Sequence, residues 1–187
     1  MNIDTRAYWY AFLSRFFADV PSARLLEELR ANSEILGLIG EEANHYLLNT
    51  DNEQLLEELN IDYTTVFITN APPLESAVLD TKNQIASGLE NPVMGFYLRY
   101  GYEINLNNTV LLTPDHLAIE LGFMQNLVLH EPKDTQKQFL SEHLLVWVVP
   151  YMLGVKELLV TPFYRQLVDF TIEFLISDFE TLNSEPA

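Results

Sequence analysis

Three times in this chain a residue that can cap a helix is followed at once by proline: Asn91-Pro92, Thr113-Pro114 and Thr161-Pro162. Each pair precedes an apolar run with helical spacing. A capping side-chain oxygen takes one of the N–H groups that a first turn leaves without a partner. Proline in the first helical position has no N–H to leave unpaired, and its φ is already helical. Three such starts predict an all-α chain.

The rest of the pattern agrees. Trp9, Leu13, Phe16 and Val20 recur at i, i+4, i+7 and i+11, one stripe of a first helix. Tyr8, Tyr10 and Phe12 widen that stripe, so the helix is expected to be deeply buried. Val20-Pro21 ends it, since the residue before proline is pushed out of the α region. Residues 22–31 and about 33–48 read as two further helices. Asp51 and Gln54 have capping-box spacing for a helix through Leu56, Leu59, Tyr63 and Val66 to about Thr69. Ala71-Pro72-Pro73 ends that helix. In the last helix Phe163, Leu167, Phe170 and Phe174 share a face. Residues 71–90 read as a loop. Residues 101–112, with Gly101 and Asn107-Asn108 and some strand character from Tyr102 to Leu112, read as a hinge. The expectation is one domain over residues 1–187, with helical halves of about 1–100 and 113–187 joined at about 101–112.

Charge narrows the partners. The 187 residues carry a net charge of −17, from 10 basic and 27 acidic side chains. Residues 1–100 hold 6 basic and 15 acidic, and residues 101–187 hold 4 and 12, so the acidity is spread along the chain. Such a field repels nucleic acid and anionic lipid and attracts cations. Hydrophobic residues make up 48%, ample for a core that buries roughly 70% of the unfolded chain's surface at this length. There is no cysteine, hence no disulfide and no thiolate metal site. Asp4 and Arg15 interrupt what a secretory leader would need, and no apolar stretch reaches about 18 residues. No membrane span is expected, and the cytoplasm is the expected compartment.

Catalytic templates are missing. No Gly-rich phosphate loop and no G-x-S-x-G elbow occurs. Glu42-x-x-His45 matches half of a di-iron motif without a second copy, and reads as a solvated helix face. His116 and Glu120, four apart, are too few ligands for a tight metal site. His143 reads as structural. At Thr113-Pro114-Asp115-His116 the spacing has Thr113 cap, Pro114 begin the helix and Asp115 complement its dipole. His116 is left over, and with Asp115 at a loop–helix junction it forms a candidate peptide-contact pair.

Four stretches resemble the TorD/DmsD/NarJ family of redox-enzyme maturation chaperones. They are the aromatic run Tyr8 to Phe17; Asp62-Tyr63-Thr64-Thr65-Val66-Phe67; Ala71-Pro72-Pro73-Leu74-Glu75-Ser76 with Leu79-Asp80; and Thr113-Pro114-Asp115-His116-Leu117 with Glu120 to Met124. Phe139, His143, Leu144 and Trp147 resemble the family's F-x-x-x-H-L-x-x-W run. The resemblance implies two helical halves joined by a hinge, sometimes exchanged between protomers in a homodimer. It implies binding to the twin-arginine signal peptide of a redox-enzyme precursor, usually a molybdopterin oxidoreductase, before export. Carried over residue by residue, it lines the peptide groove with Pro72, Glu75, Ser76, Pro114, Asp115, His116 and Glu120. Leu74 and Val78 stand where many members have aromatics.

A twin-arginine leader has a cationic head and an apolar stretch. Glu75, Asp115 and Glu120 are the candidates for pairing with arginine, and Leu74, Leu117 and Met124 for the apolar part. No catalytic residue, metal or cofactor is expected; guanine-nucleotide and molybdenum-cofactor binding, proposed for the family, stay open. Two other readings remain: a helical scaffold that binds a protein without reading any leader, and a small metal-dependent hydrolase.

Overall fold

A computed structural model describes residues 1–79, 91–104 and 113–184. Residues 80–90 of the expected loop, and residues 105–112 of the expected hinge with its strand-like stretch, lie outside the described residues. The described chain is helical, with one isolated antiparallel bridge between Leu74 and His116. Its elements are α1 (Ile3–Ala18), α2 (Ala23–Arg30), α3 (Ser33–Ile39), α4 (Glu41–Asn49), α5 (Asn52–Tyr63), α6 (Glu75–Leu79), α7 (Met94–Arg99), α8 (Leu117–His130), α9 (Lys133–Phe139), α10 (Leu145–Lys156) and α11 (Pro162–Ser184). Wider π turns follow α5 at Thr64–Asn70 and α9 at Leu140–Leu144. By contact the chain gathers into two units that interleave in sequence. Unit 1 is Met1–Asp19, Pro73–Tyr151 and Leu175–Ala187; unit 2 is Val20–Pro72 and Met152–Phe174. These units do not coincide with the sequential halves 1–100 and 113–187.

In unit 1, α1 lies along α8. Asn2 caps α1 by accepting the Thr5 N–H at 2.8 Å. Its buried stripe holds Trp9, Tyr10, Leu13, Phe16 and Phe17, each contributing about 1.5–3 kcal/mol of burial. Tyr8, expected in that stripe, is exposed, and Phe12 is half-buried. The two helices approach closely: Ser14 Oγ donates to the Ala118 carbonyl at 2.6 Å. A Cβ on Gly122 would stand 3.2 Å from the Tyr102 hydroxyl and 3.4 Å from Ser14 Oγ, a tight fit for any side chain on α8 there. Arg6 reaches across to α11 and donates to both Asp178 oxygens at 2.5 and 2.9 Å, while the Tyr10 hydroxyl donates to Asp178 Oδ2 at 2.7 Å.

In unit 2, Ser22 caps α2 and Asn32 caps α3. The single helix expected over 33–48 is two helices, broken at Gly40. A Cβ there would meet Gln166 Oε1 at 2.1 Å, and that same oxygen accepts the Ala43 N–H at 2.7 Å as α4 begins. Asp51 caps α5 through the Glu53 N–H, but Gln54 does not reciprocate as in a capping box; its amide donates to Glu58 instead. Asp62, buried at the end of α5, accepts the N–H groups of Val160 (3.1 Å) and Thr161 (2.8 Å) and the Thr161 hydroxyl (2.6 Å). The Thr161 hydroxyl is thus a donor to Asp62, and Pro162 opens α11.

The other two cap–proline pairs start their helices later than expected. Asn91 Oδ1 accepts the Val93 N–H at 3.1 Å, so Pro92 lies in a turn and α7 begins at Met94. Thr113 and Pro114 also lie in a turn, and α8 begins at Leu117. The expected loop 71–90 contains a helix, the five-residue α6.

Candidate functional site

Six of the seven expected groove residues, Glu75, Ser76, Pro114, Asp115, His116 and Glu120, fall in unit 1. Pro72 falls in unit 2 and is exposed. In unit 1 the proline loop and the loop–helix junction lie side by side as two antiparallel stretches. The Leu117 N–H donates to the Pro73 carbonyl at 2.9 Å, and the Glu75 N–H to the Asp115 carbonyl at 3.1 Å. Asp115 Oδ2 accepts the Ser76 N–H at 2.9 Å. Asp115 thus holds the start of α6, not the first turn of α8 as the spacing predicts. It has no solvent exposure.

His116 takes the role that the sequence assigns to Thr113. Its Nδ1 accepts the Ala118 N–H at 3.2 Å and caps α8. A ring nitrogen that accepts a hydrogen bond carries no proton. Burial of the ring lowers its pKa to about 4, against the opposing pull of the Asp115 carboxylate. The cap and the neutral imidazole are one arrangement. The Pro114 carbonyl accepts the buried Tyr97 hydroxyl at 3.0 Å, which fixes the turn.

Glu75 opens α6 and points inward, with 6% exposure. The His143 Nδ1–H donates to its two oxygens at 2.9 and 3.0 Å. The ring of His143 stacks on Phe139 at 5.2 Å and meets Phe96 edge-on at 5.2 Å. Its place is set by the π turns at Leu140–Leu144. Glu120, wholly buried on α8, accepts the Trp147 Nε1–H on Oε2 at 3.1 Å. Burial raises its pKa well above the carboxylate range, and the Glu75 charge adds to that. Among the described residues its Oε1 has no hydrogen-bond partner; nor do Asp115 Oδ1, Ser76 Oγ and Thr113 Oγ1, all buried.

The structure therefore brings three carboxyls and two imidazoles together at a short segment, 73–79. None of the three acids faces solvent. Leu117 and Met124, expected to meet an apolar ligand, are wholly buried core residues; Leu74 is buried and Val78 exposed. The sequence reading missed His143, Trp147 and Tyr97 as parts of this cluster. The spacing of Phe139, His143 and Trp147, every fourth residue, is the signal that could have found two of them. Among the described residues no group of three His, Cys, Asp or Glu stands close enough to hold a metal ion. No described helix is long and apolar enough to cross a membrane.

Known proteins resemble this chain over nearly its whole length. Proteins named chaperone protein TorD are 26% identical in Shewanella pealeana, over 96% of this chain and 90% of that protein. The one from Shewanella piezotolerans is 26% identical over 87% of this chain and 78% of its own length. The one from Histophilus somni is 21% identical over 94% and 97%. Residues 24–152 match the sequence pattern of the family described as nitrate reductase delta subunit. That match takes in the Asp62 segment, the proline loop, the loop–helix junction and His143, and it shows that the chain belongs to this family of TorD/NarJ-type proteins.

Proposed function

We propose that this chain is a maturation chaperone that holds the twin-arginine signal peptide of a redox-enzyme precursor, usually a molybdopterin oxidoreductase, in the cytoplasm until assembly is finished. The observation that carries the reading is the acidic cluster of Glu75, Asp115 and Glu120 at the proline loop and the loop–helix junction. It stands in a chain whose relatives are named TorD chaperones. The cluster offers carboxyl oxygens without donors, and a guanidinium supplies up to five N–H donors in a planar fork. The net charge of −17 speeds the approach of a cationic leader more than it tightens the complex. No covalent step is required. In calorimetry, a synthetic twin-arginine leader binds the chain and the same peptide with both arginines replaced by glutamine does not. Equal binding of the two peptides removes arginine recognition from the account.

The burial of all three acids favours a second reading, in which the chain grips the client through other surfaces and reads no leader. Precipitation of the precursor with and without its leader separates the two. Loss of capture without the leader supports the main reading, and undiminished capture supports the second.

A further inference from the structure

The proposed peptide site is shut in this structure, and the way it is shut points to how it opens. Segment 73–79, which carries Glu75 and bonds to Asp115, is held by few bonds. Its backbone is tied to 114–117 by the Pro73, Glu75 and Ser76 contacts already described. Its side chains add Pro73 and Leu74, which are buried, and the Glu75–His143 pair; Ala77, Val78 and Leu79 are exposed. A helix of five residues is too short to be stable alone, so α6 depends on these ties. Near Glu75, Glu120 Oε1 and Asp115 Oδ1 are fully buried and unpartnered among the described residues. Both oxygens can accept from a cation that reaches them.

We propose that residues 73–79 are a strap closed by the Glu75–His143 latch, and that a guanidinium of the client's leader opens it by taking the Glu75 carboxylate from His143. This rests on the leader-binding reading above and adds its regulation. His143 is then a positioning residue. In the closed state it holds Glu75 inward; when the strap opens, Asp115 Oδ1 and Glu120 Oε1 are uncovered for the same cation. A charged N–H donor outcompetes a single imidazole N–H for one carboxylate because it presents two parallel donors. A site closed most of the time binds more weakly by its open fraction, so loosening the latch tightens binding. The latch also excludes ligands without a cation, since these gain nothing from Glu75.

Two variants separate this from a merely structural histidine. His143→Leu removes the N–H donor and leaves Glu75 intact. Glu75→Gln removes the carboxylate that both partners want. Hydrogen exchange of 73–79 and calorimetry with the twin-arginine leader are read on both variants and the wild type, after circular dichroism shows each is folded. Both variants are expected to exchange faster at the Glu75 and Ser76 amides. Affinity is expected to move in opposite directions: several-fold tighter for His143→Leu, and about tenfold weaker for Glu75→Gln. In the wild type, the leader is expected to raise exchange in 73–79 without changing α8. Weaker binding in both variants makes His143 structural and overturns the latch. A wild type that binds the leader with exchange in 73–79 unchanged overturns the strap but keeps the chaperone reading. A folded wild type that binds no leader overturns both.

Discussion

Two buried acidic places, one in each unit, are built in opposite ways. In unit 2 the Asp62 carboxylate meets two backbone N–H groups and one hydroxyl between 2.6 and 3.2 Å, and joins α5 to the turn before α11. In unit 1 Glu75, Asp115 and Glu120 share few donors and keep two carboxyl oxygens without partners. Both lie in segments that resemble the same family. Burial of an acid therefore separates nothing by itself; satisfaction does. A saturated carboxylate is a fastener, and an unsaturated cluster is a site held in reserve.

That contrast is sharpest when each acid is removed. Asp62→Ala strips the partner from two buried donors on Thr161 and from the Val160 N–H, and is expected to cost about 2–3 kcal/mol in urea unfolding, with leader affinity unchanged. A cost below about 0.5 kcal/mol would make Asp62 no different from a surface residue.

His116 tests the closed junction by pH. Its folded pKa of about 4 lies below the usual 6.5, so the unfolded chain binds more protons between these values. Stability is then complete above about pH 6.5 and is lost as pH falls toward 4, by up to about 3 kcal/mol. His116→Asn keeps an acceptor for the Ala118 N–H and is expected to flatten this acid limb in urea midpoints. A limb of unchanged height would assign it to other groups.

Smaller effects follow on Glu120. Trp147→Phe takes away its one donor and is expected to cost about 1–2 kcal/mol beyond the lost packing. Glu120→Gln tests sign alone. Its carboxyl pKa is raised in the folded chain, so its contribution is present below the usual carboxylate range and lost as pH rises through the folded value. The variant is expected to lose less stability than the wild type as pH rises above the usual carboxylate range. A steeper loss would contradict a neutral Glu120.

What the sequence showed and hid follows the range of the forces involved. Helix and proline signals are local, so the all-α class and most of the helices could be read from spacing. The start of α8 could not be, because the Pro114 carbonyl is taken by Tyr97 and the Leu117 N–H by Pro73, both distant in sequence. The break at Gly40 likewise depends on Gln166. The resemblance gathered Glu75, Ser76, Asp115 and Glu120, and these do meet. It did not show that they face inward, since burial depends on His143 and Trp147, which reach them from further along the chain.

The most direct test is one titration series of the twin-arginine leader into the wild type, Glu75→Gln and Asp115→Asn. Asparagine at 115 still accepts the Ser76 N–H, so the strap keeps its tie while the charge is gone. The account predicts that the wild type binds and that each variant binds about tenfold more weakly. Equal affinity across the three proteins would contradict it.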